Sequence, residues 1–133
     1  RTPVRWFIEC LQAIRDRLGF SVRAFVVSDG RDRELKELLA LNNIFRVSCG
    51  SAIGDLLVLS RAKILIASGG STFSAWASFL GQMPTISHPG QVFSWFQLVN
   101  IKGYYLGEFD PNSPPPEFFD QLRTLFASYA SCY

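Results

Sequence analysis

The stretch from Gly69 to Trp76 has a glycine pair followed by serine and threonine at a predicted helix start, an order that suits phosphate binding. Gly69 and Gly70 follow a short apolar run, and Ser71 opens a new pattern with helical spacing. Glycines permit a sharp turn and let a ligand approach the backbone. Ser71 can cap the helix that begins here, and the free N–H groups of a helix start attract anions. The Gly-Lys-Ser/Thr ending of a P-loop is absent, so either a phosphate site or a well-capped βα turn is predicted.

Other polar residues come directly after predicted strands, where open parallel sheets bind their ligands. Ser28 and Asp29 follow the first strand, and His88 follows a later one. We interpret Asp29 either as a turn residue or as an acceptor for ribose hydroxyls, and His88 either as structural or as a base. Asp55, in the first turn of an apolar helix, either complements the helix dipole or accepts hydrogen bonds from guanine. Lys and Arg are nearly missing from this predicted rim, so it offers hydrogen bonds but little charge for a diphosphate.

A hydrolase centred on Ser71 is a third interpretation. A nucleophile elbow requires Gly-x-Ser-x-Gly on a strand-to-helix turn. Phe73 stands where the second glycine belongs, and His88 comes before Asp110 although the acid should come first. The hydrolase pattern therefore fits this chain poorly.

Apolar spacing predicts the elements that must position these residues. Helices are predicted over 2–18, 33–41, 52–61 and 74–80, with strands over 22–27, 44–47, 63–67, 83–86 and 102–106, and a closing helix from Pro115 or Pro116 through Tyr129. Gly19 is expected to end the first helix, and Asp32 to cap the second. In the helix over 52–61, the residues expected to point inward are Ile53, Leu56, Leu57 and Leu59. The alternation predicts an α/β fold, with a Rossmann-like open parallel sheet and helices on both faces.

Length and composition predict one globular domain over residues 1–133, with an irregular proline-rich break and closing helix over 107–133. The chain has 133 residues, of which 48% are hydrophobic, and a net charge of +2. No basic cluster indicates nucleic acid as a partner, and no apolar run is long enough for a transmembrane segment. Cys10, Cys49 and Cys132 are spaced too widely for a metal pattern or a disulfide framework. We therefore expect no cofactor or metal and a reducing, cytoplasmic compartment, with peripheral membrane contact left open.

The segment from Asp55 to Trp76 resembles the C-terminal half of α-1,2-fucosyltransferases and their bacterial relatives. In that family an Asp opens a helix, a strand follows, and a Ser-Thr/Ser-Phe-Ser motif then precedes a Trp. This chain carries the motif as Ser71-Thr72-Phe73-Ser74. Its upstream strand ending in Ser28-Asp29 is also similar to a strand of that family.

The resemblance implies a GT-B glycosyltransferase, in which two Rossmann-like halves face each other across a cleft. This chain would be the donor-binding half, and GDP-fucose would be its donor, transferred with inversion and without a metal to a hydroxyl of a glycan acceptor. Asp55 would then bind guanine, and Ser28 or Asp29 would lie near the ribose or base. The diphosphate would be held by Ser71, Thr72, Phe73 and Ser74.

The family's His-x-Arg motif, whose arginine contacts the diphosphate, lies upstream of these segments and does not occur in this chain. The resemblance therefore implies a fragment that lacks an N-terminal half and is inactive alone. A non-catalytic nucleotide- or partner-binding module on the same fold is the alternative.

Overall fold

The chain forms a mixed α/β structure with short parallel strands. A computed structural model describes residues 2–68, 72–90 and 102–127. The helices are α1 (Val4–Leu18), α2 (Lys36–Leu39), α3 (Ala52–Ser60), α4 (Thr72–Gly81) and α5 (Pro116–Leu125). The strands are β1 (Ala24–Val26), β2 (Ile44–Arg46), β3 (Leu65–Ala67), β4 (Thr85–Ser87) and β5 (Leu106–Glu108). The predicted α/β class with parallel strands is confirmed.

The described residues form two small sheets where one open sheet was expected. β1 pairs with β2 in parallel, with Ala24 opposite Ile44. The second sheet has the order β3-β4-β5, also parallel, with Thr85 opposite Leu65 on one side and Leu106 on the other. The strands are shorter than their apolar runs, because an apolar run reports burial while a strand also requires a partner backbone at each residue. A Rossmann-like sheet therefore remains a prediction beyond the α/β class.

The larger core lies where α1 and α5 pack on the strands. Trp6 of α1 is buried, and its indole N–H donates to the carbonyl of Phe109 at 2.9 Å. Phe118 of α5 is fully buried against the rings of Phe109 and Phe119. Apolar residues at helical spacing on two separate helices thus meet in one aromatic cluster, which holds the ends of the described chain together.

A smaller core lies between β3 and the helix pair α3–α4. Leu65, Ala77 and Met83 form it, with Leu56 packed against them. The two helices approach closely at their last turns, since a Cβ atom added to Gly81 would lie 2.2 Å from the carbonyl oxygen of Ser60. Only glycine leaves room for this contact.

Two side-chain predictions are wrong, one in α3 and one before α2. Ile53 and Leu57 were expected to point inward, yet they are 72% and 51% exposed. α3 is apolar around most of its circumference, so the spacing of its leucines could not select the face that packs. Asp32 does not cap a helix either, because α2 begins only at Lys36 and has no side-chain cap.

The remaining predictions differ mainly in their bounds. Gly19 ends α1 in a left-handed conformation with φ of 81°, as predicted. The last strand lies at Leu106–Glu108, so the prediction over 102–106 was displaced. α5 begins at Pro116, as expected, and ends at Leu125. The stretch from Phe93 to Leu98, whose aromatic pattern fits a short helix or a loop, lies outside the described residues.

Candidate functional site

The loop after β1 carries two of the predicted binding residues in a compact turn. The backbone N–H of Gly30 donates to the Ser28 hydroxyl at 2.9 Å. This side-chain contact to a residue two positions on is a common serine turn. Asp29, at the tip of the turn, is exposed. Its carboxylate is therefore accessible to a ligand above the end of β1.

An arginine that the sequence analysis did not single out organises the same loop. Arg46, the last residue of β2, donates from its guanidinium to the carbonyl of Ser28 at 3.1 Å and also to the carbonyl of Gly30. It pairs with the carboxylate of Asp32 as well. The predicted rim thus carries the guanidinium of Arg46. This group is already bonded to two carbonyls and a carboxylate of the 28–32 loop. The sequence did carry a signal for this residue, because Arg46 is a charged residue near the carboxyl end of an otherwise apolar predicted strand.

Replacing Arg46 with alanine is expected to open the 28–32 loop with little loss of global stability. Asp32 is 84% exposed, and exposed ion pairs typically contribute less than about 1 kcal/mol. The two carbonyl contacts restrain the backbone, so hydrogen exchange of amides 28–32 should accelerate severalfold while the melting temperature changes little. Asp32→Ala is the matched control, because it removes the ion pair and keeps the carbonyl contacts. Equal exchange in both variants would show that the carbonyl contacts do not hold the loop.

Asp55 lies in the first turn of α3, as predicted, and binds the loop that precedes the helix. Its Oδ1 accepts the backbone N–H of Cys49 at 2.8 Å. The hydroxyl of Ser51 accepts the N–H of Gly54 at 3.1 Å and caps the same helix. An ionised carboxylate has about four acceptor positions. Asp55 thus has a structural contact and retains acceptor capacity for the N–H groups of a ligand.

The start of α4 is described only in part. Ser71 and the side chain of Thr72 lie outside the described residues, so their predicted roles remain predictions. Phe73 is half-buried, and Ser74 is 7% exposed. The burial of Ser74 leaves little of its hydroxyl accessible to a diphosphate.

His88 follows β4 and packs against the large core. Its ring lies edge-on to the indole of Trp6, with centroids 5.5 Å apart. Its Nδ1 lies 3.1 Å from the carbonyl oxygen of Pro89. In the same turn, the N–H of Gly90 donates to the carboxylate of Glu108 at 2.9 Å. These contacts are those of a histidine that packs against the core. Glu108 places a carboxylate in the same turn.

Of the predicted site residues in the described ranges, Asp55 lies in the first turn of α3, residues 72–74 lie in the first turn of α4, and the others follow strands of the two sheets. Ser28, Asp29 and the unforeseen Arg46 lie at the carboxyl ends of β1 and β2, while His88 lies at the carboxyl end of β4. The hydrogen bonds of Ser28, Asp55 and His88 are to nearby backbone, and Arg46 joins β2 to the loop after β1. The groups that this region can present to the hydroxyl or N–H groups of a ligand are therefore the exposed carboxylate of Asp29 and the remaining acceptor positions of Asp55.

Cys10 is buried in the larger core. Burial raises the pKa of the Cys10 thiol far above its ordinary range, and Glu9 adds to the effect, so this cysteine is not a thiolate nucleophile. Residues 2–68, 72–90 and 102–127 contain no group of three or more His, Cys, Asp or Glu that could hold a metal ion. None of the helices described is long and apolar enough to cross a membrane.

No protein-family model, curated protein or solved structure matches this chain significantly. The resemblance to α-1,2-fucosyltransferases therefore remains a hypothesis that depends on the motif residues and on binding experiments.

Proposed function

We propose that this chain is the donor-binding domain of a metal-independent glycosyltransferase and that its ligand is a guanine nucleotide-sugar such as GDP-fucose. The observation that carries the proposal is Asp55, whose carboxylate sits in the first turn of α3 on the loop side of the helix. Guanine presents a ring N–H and an amino group side by side, and adenine presents an acceptor at that ring nitrogen. A carboxylate at this place would favour guanine.

The loop after β1 supports the same proposal. The exposed carboxylate of Asp29 is suited to accept hydrogen bonds from ribose hydroxyls, and Arg46 holds the backbone beneath it. Ser71 and Thr72 would contribute the diphosphate contacts at the start of α4, and a glycan hydroxyl would be the acceptor. The proposal gives the chain a binding role and leaves the transfer step to the intact enzyme.

The test compares binding of GDP, ADP, UDP and CMP by ligand-observed NMR in the wild type and in Asp55→Asn. Asparagine keeps an oxygen that can accept from Cys49, but it replaces the charged acceptor for guanine with an amide. A charge-assisted hydrogen bond contributes about 1.5–3 kcal/mol, so GDP affinity should fall roughly tenfold or more while ADP binding stays the same.

Ser51→Ala is the matched control for this experiment. It removes the cap of α3 and leaves the Asp55 carboxylate in place. GDP preference should survive in this variant. Equal binding of all four nucleotides to the wild type, or an unchanged GDP preference in Asp55→Asn, would contradict the proposal.

A non-catalytic nucleotide- or partner-binding module is the second candidate. The observation that favours it is the engagement of Arg46 by Asp32 and two loop carbonyls, which occupies a cation that a diphosphate would require. The intact protein distinguishes the two candidates. GDP release from GDP-fucose in the presence of glycan acceptors supports the enzyme, and GDP binding without turnover supports the module.

A further inference from the structure

The outer surface of the α3–α4 pair is apolar and exposed. Ile53 and Leu57 lie one turn apart on α3, and Trp76 and Leu80 lie one turn apart on α4. All four are at least half exposed, with 72% for Ile53 and 56% for Trp76. We call these four side chains the outer patch. Residues at this spacing share one face of a helix, so each helix presents a stripe to solvent.

The packing of the two helices places both stripes in the same layer. Leu56 of α3 and Ala77 of α4 pack in the small core around Leu65 of β3. The last turns of the helices meet where Gly81 lies against Ser60. The sides of both helices that face β3 are therefore occupied, and the outer patch lies on the sides left uncovered.

α3 is unlike an ordinary surface helix. It contains five large or medium aliphatic residues among the nine from Ala52 to Ser60, yet it has no buried residue. A helix that is apolar around its circumference is normally covered on more than one side. The outer patch thus has the composition of an interface, and a tryptophan is a frequent anchor of such surfaces.

We propose that the outer patch is a dimer interface that binds the same patch of a second copy of this chain. The stretch 64–90 contains no Asp, Glu, Lys or Arg, and the only charged residue in α3 is Asp55, which is bonded to the backbone of Cys49. In a two-fold interface the same patch of both copies meets, so that residue i of one copy contacts residue j of the other and j contacts i. An uncharged patch can therefore meet itself without like-charge repulsion.

The exposed area is sufficient for a small stable interface. An aromatic side chain can bury roughly 150–250 Å², and with the three aliphatic side chains the patch exposes on the order of 400 Å² per copy. Two copies would remove on the order of 800 Å² of apolar surface from water. Apolar atoms supply about 56–65% of an interface, so the total reaches roughly 1,200–1,400 Å², the lower end of the range for specific complexes.

The charge pattern favours a protein partner over a lipid surface. Helices that lie on anionic membranes carry Lys and Arg beside their apolar face. Neither α3 nor the stretch 64–90 contains Lys or Arg, and Arg61 and Lys63 lie past the C-terminal end of α3, so neither helix carries cations beside its apolar stripe. Dimerisation does not depend on nucleotide binding, so the dimer and the nucleotide site can each be disproved without affecting the other.

The experiment is sedimentation equilibrium of the 133-residue chain over a concentration series, with one variant in the patch and one outside it. Leu57→Glu places a charge in the patch, and Phe25→Glu places the same charge on β1, where Phe25 has the same exposure of 51%. The wild type and Phe25→Glu should dimerise at micromolar concentration. Leu57→Glu should raise the dimer dissociation constant at least tenfold.

Ile53→Glu serves as a second patch variant if Leu57→Glu fails to fold by circular dichroism, since Ile53 is the most exposed of the four. A wild type that stays monomeric, a dimer lost in Phe25→Glu but retained in the patch variants, or open-ended aggregation would overturn the proposal. So would a monomer that binds phosphatidylcholine–phosphatidylserine vesicles through the patch.

Discussion

Replacing Phe118 with alanine is expected to lower the free energy of unfolding by about 3–5 kcal/mol, the usual cost of truncating a buried phenylalanine. Phe118 is fully buried. Its ring lies 5.5 Å from Phe109, 5.8 Å from Phe119 and 5.9 Å from Tyr105, measured between centroids. Because domains are stable by only about 5–15 kcal/mol, this single cavity would leave the chain marginally folded.

Urea unfolding followed by circular dichroism measures this loss. Phe45→Ala is the matched control, since Phe45 lies in β2 with 48% of its surface exposed. The control should lose clearly less stability than Phe118→Ala, because half of the Phe45 surface is already exposed, although its ring contacts Phe25 and the Arg23 guanidinium. Similar losses in the two variants would show that the aromatic cluster around Phe118 does not dominate the stability of this chain.

Replacing Gly81 with alanine is expected to destabilise the protein by about 3 kcal/mol, the upper end of the usual cost of overpacking. The added Cβ would lie 2.2 Å from the carbonyl oxygen of Ser60 and 2.6 Å from the terminal methyl of Met83. The methyl can move, but the carbonyl belongs to the backbone of α3. The two helices would therefore have to separate. Intrinsic helix propensity favours alanine over glycine by about 1 kcal/mol, so a net loss must come from this contact.

Gly107→Ala is the control for Gly81, because its Cβ would meet only the side chain of Tyr105, at 3.2 Å from the hydroxyl. A side chain yields more readily than the backbone carbonyl of Ser60, so the cost should be smaller than that of Gly81→Ala, although Tyr105 also contacts Glu108 and Phe118. The same urea titration compares the two variants. If Gly81→Ala proves as stable as wild type, then α3 and α4 do not pack in solution as they do here.

Asp55 and Arg46 of the candidate site differ in how well the sequence predicts their positions and contacts. Asp55 was placed in the first turn of a helix because the apolar run that predicts this helix begins at Ala52. Its bond to Cys49 depends on the path of the loop, which no local pattern encodes. Arg46 was missed because its partners Ser28 and Asp32 are distant in sequence, and their proximity depends on the pairing of β1 with β2.

The burial of residues on α1 and α3 also shows what local spacing can predict and what it cannot. α1 has polar residues opposite its apolar stripe, and Trp6, Cys10 and Ile14 of that stripe are buried. In α3 the apolar residues extend around the helix, and Ile53 and Leu57 proved to be exposed. Periodicity identifies the inner face only when the outer face is polar.

The sequence by itself determined the α/β class, the order of helices and strands, and local signals such as the end of α1 at Gly19 and the start of α5 at Pro116. These follow from backbone preferences and short-range spacing, which act within a few residues. Only the tertiary structure decided that the described strands form two small sheets and that Arg46 restrains the loop after β1. It also decided that Gly81 packs directly against the backbone of Ser60. Each of these depends on which distant segments meet, because hydrogen bonding and close packing are satisfied between segments that local sequence cannot pair.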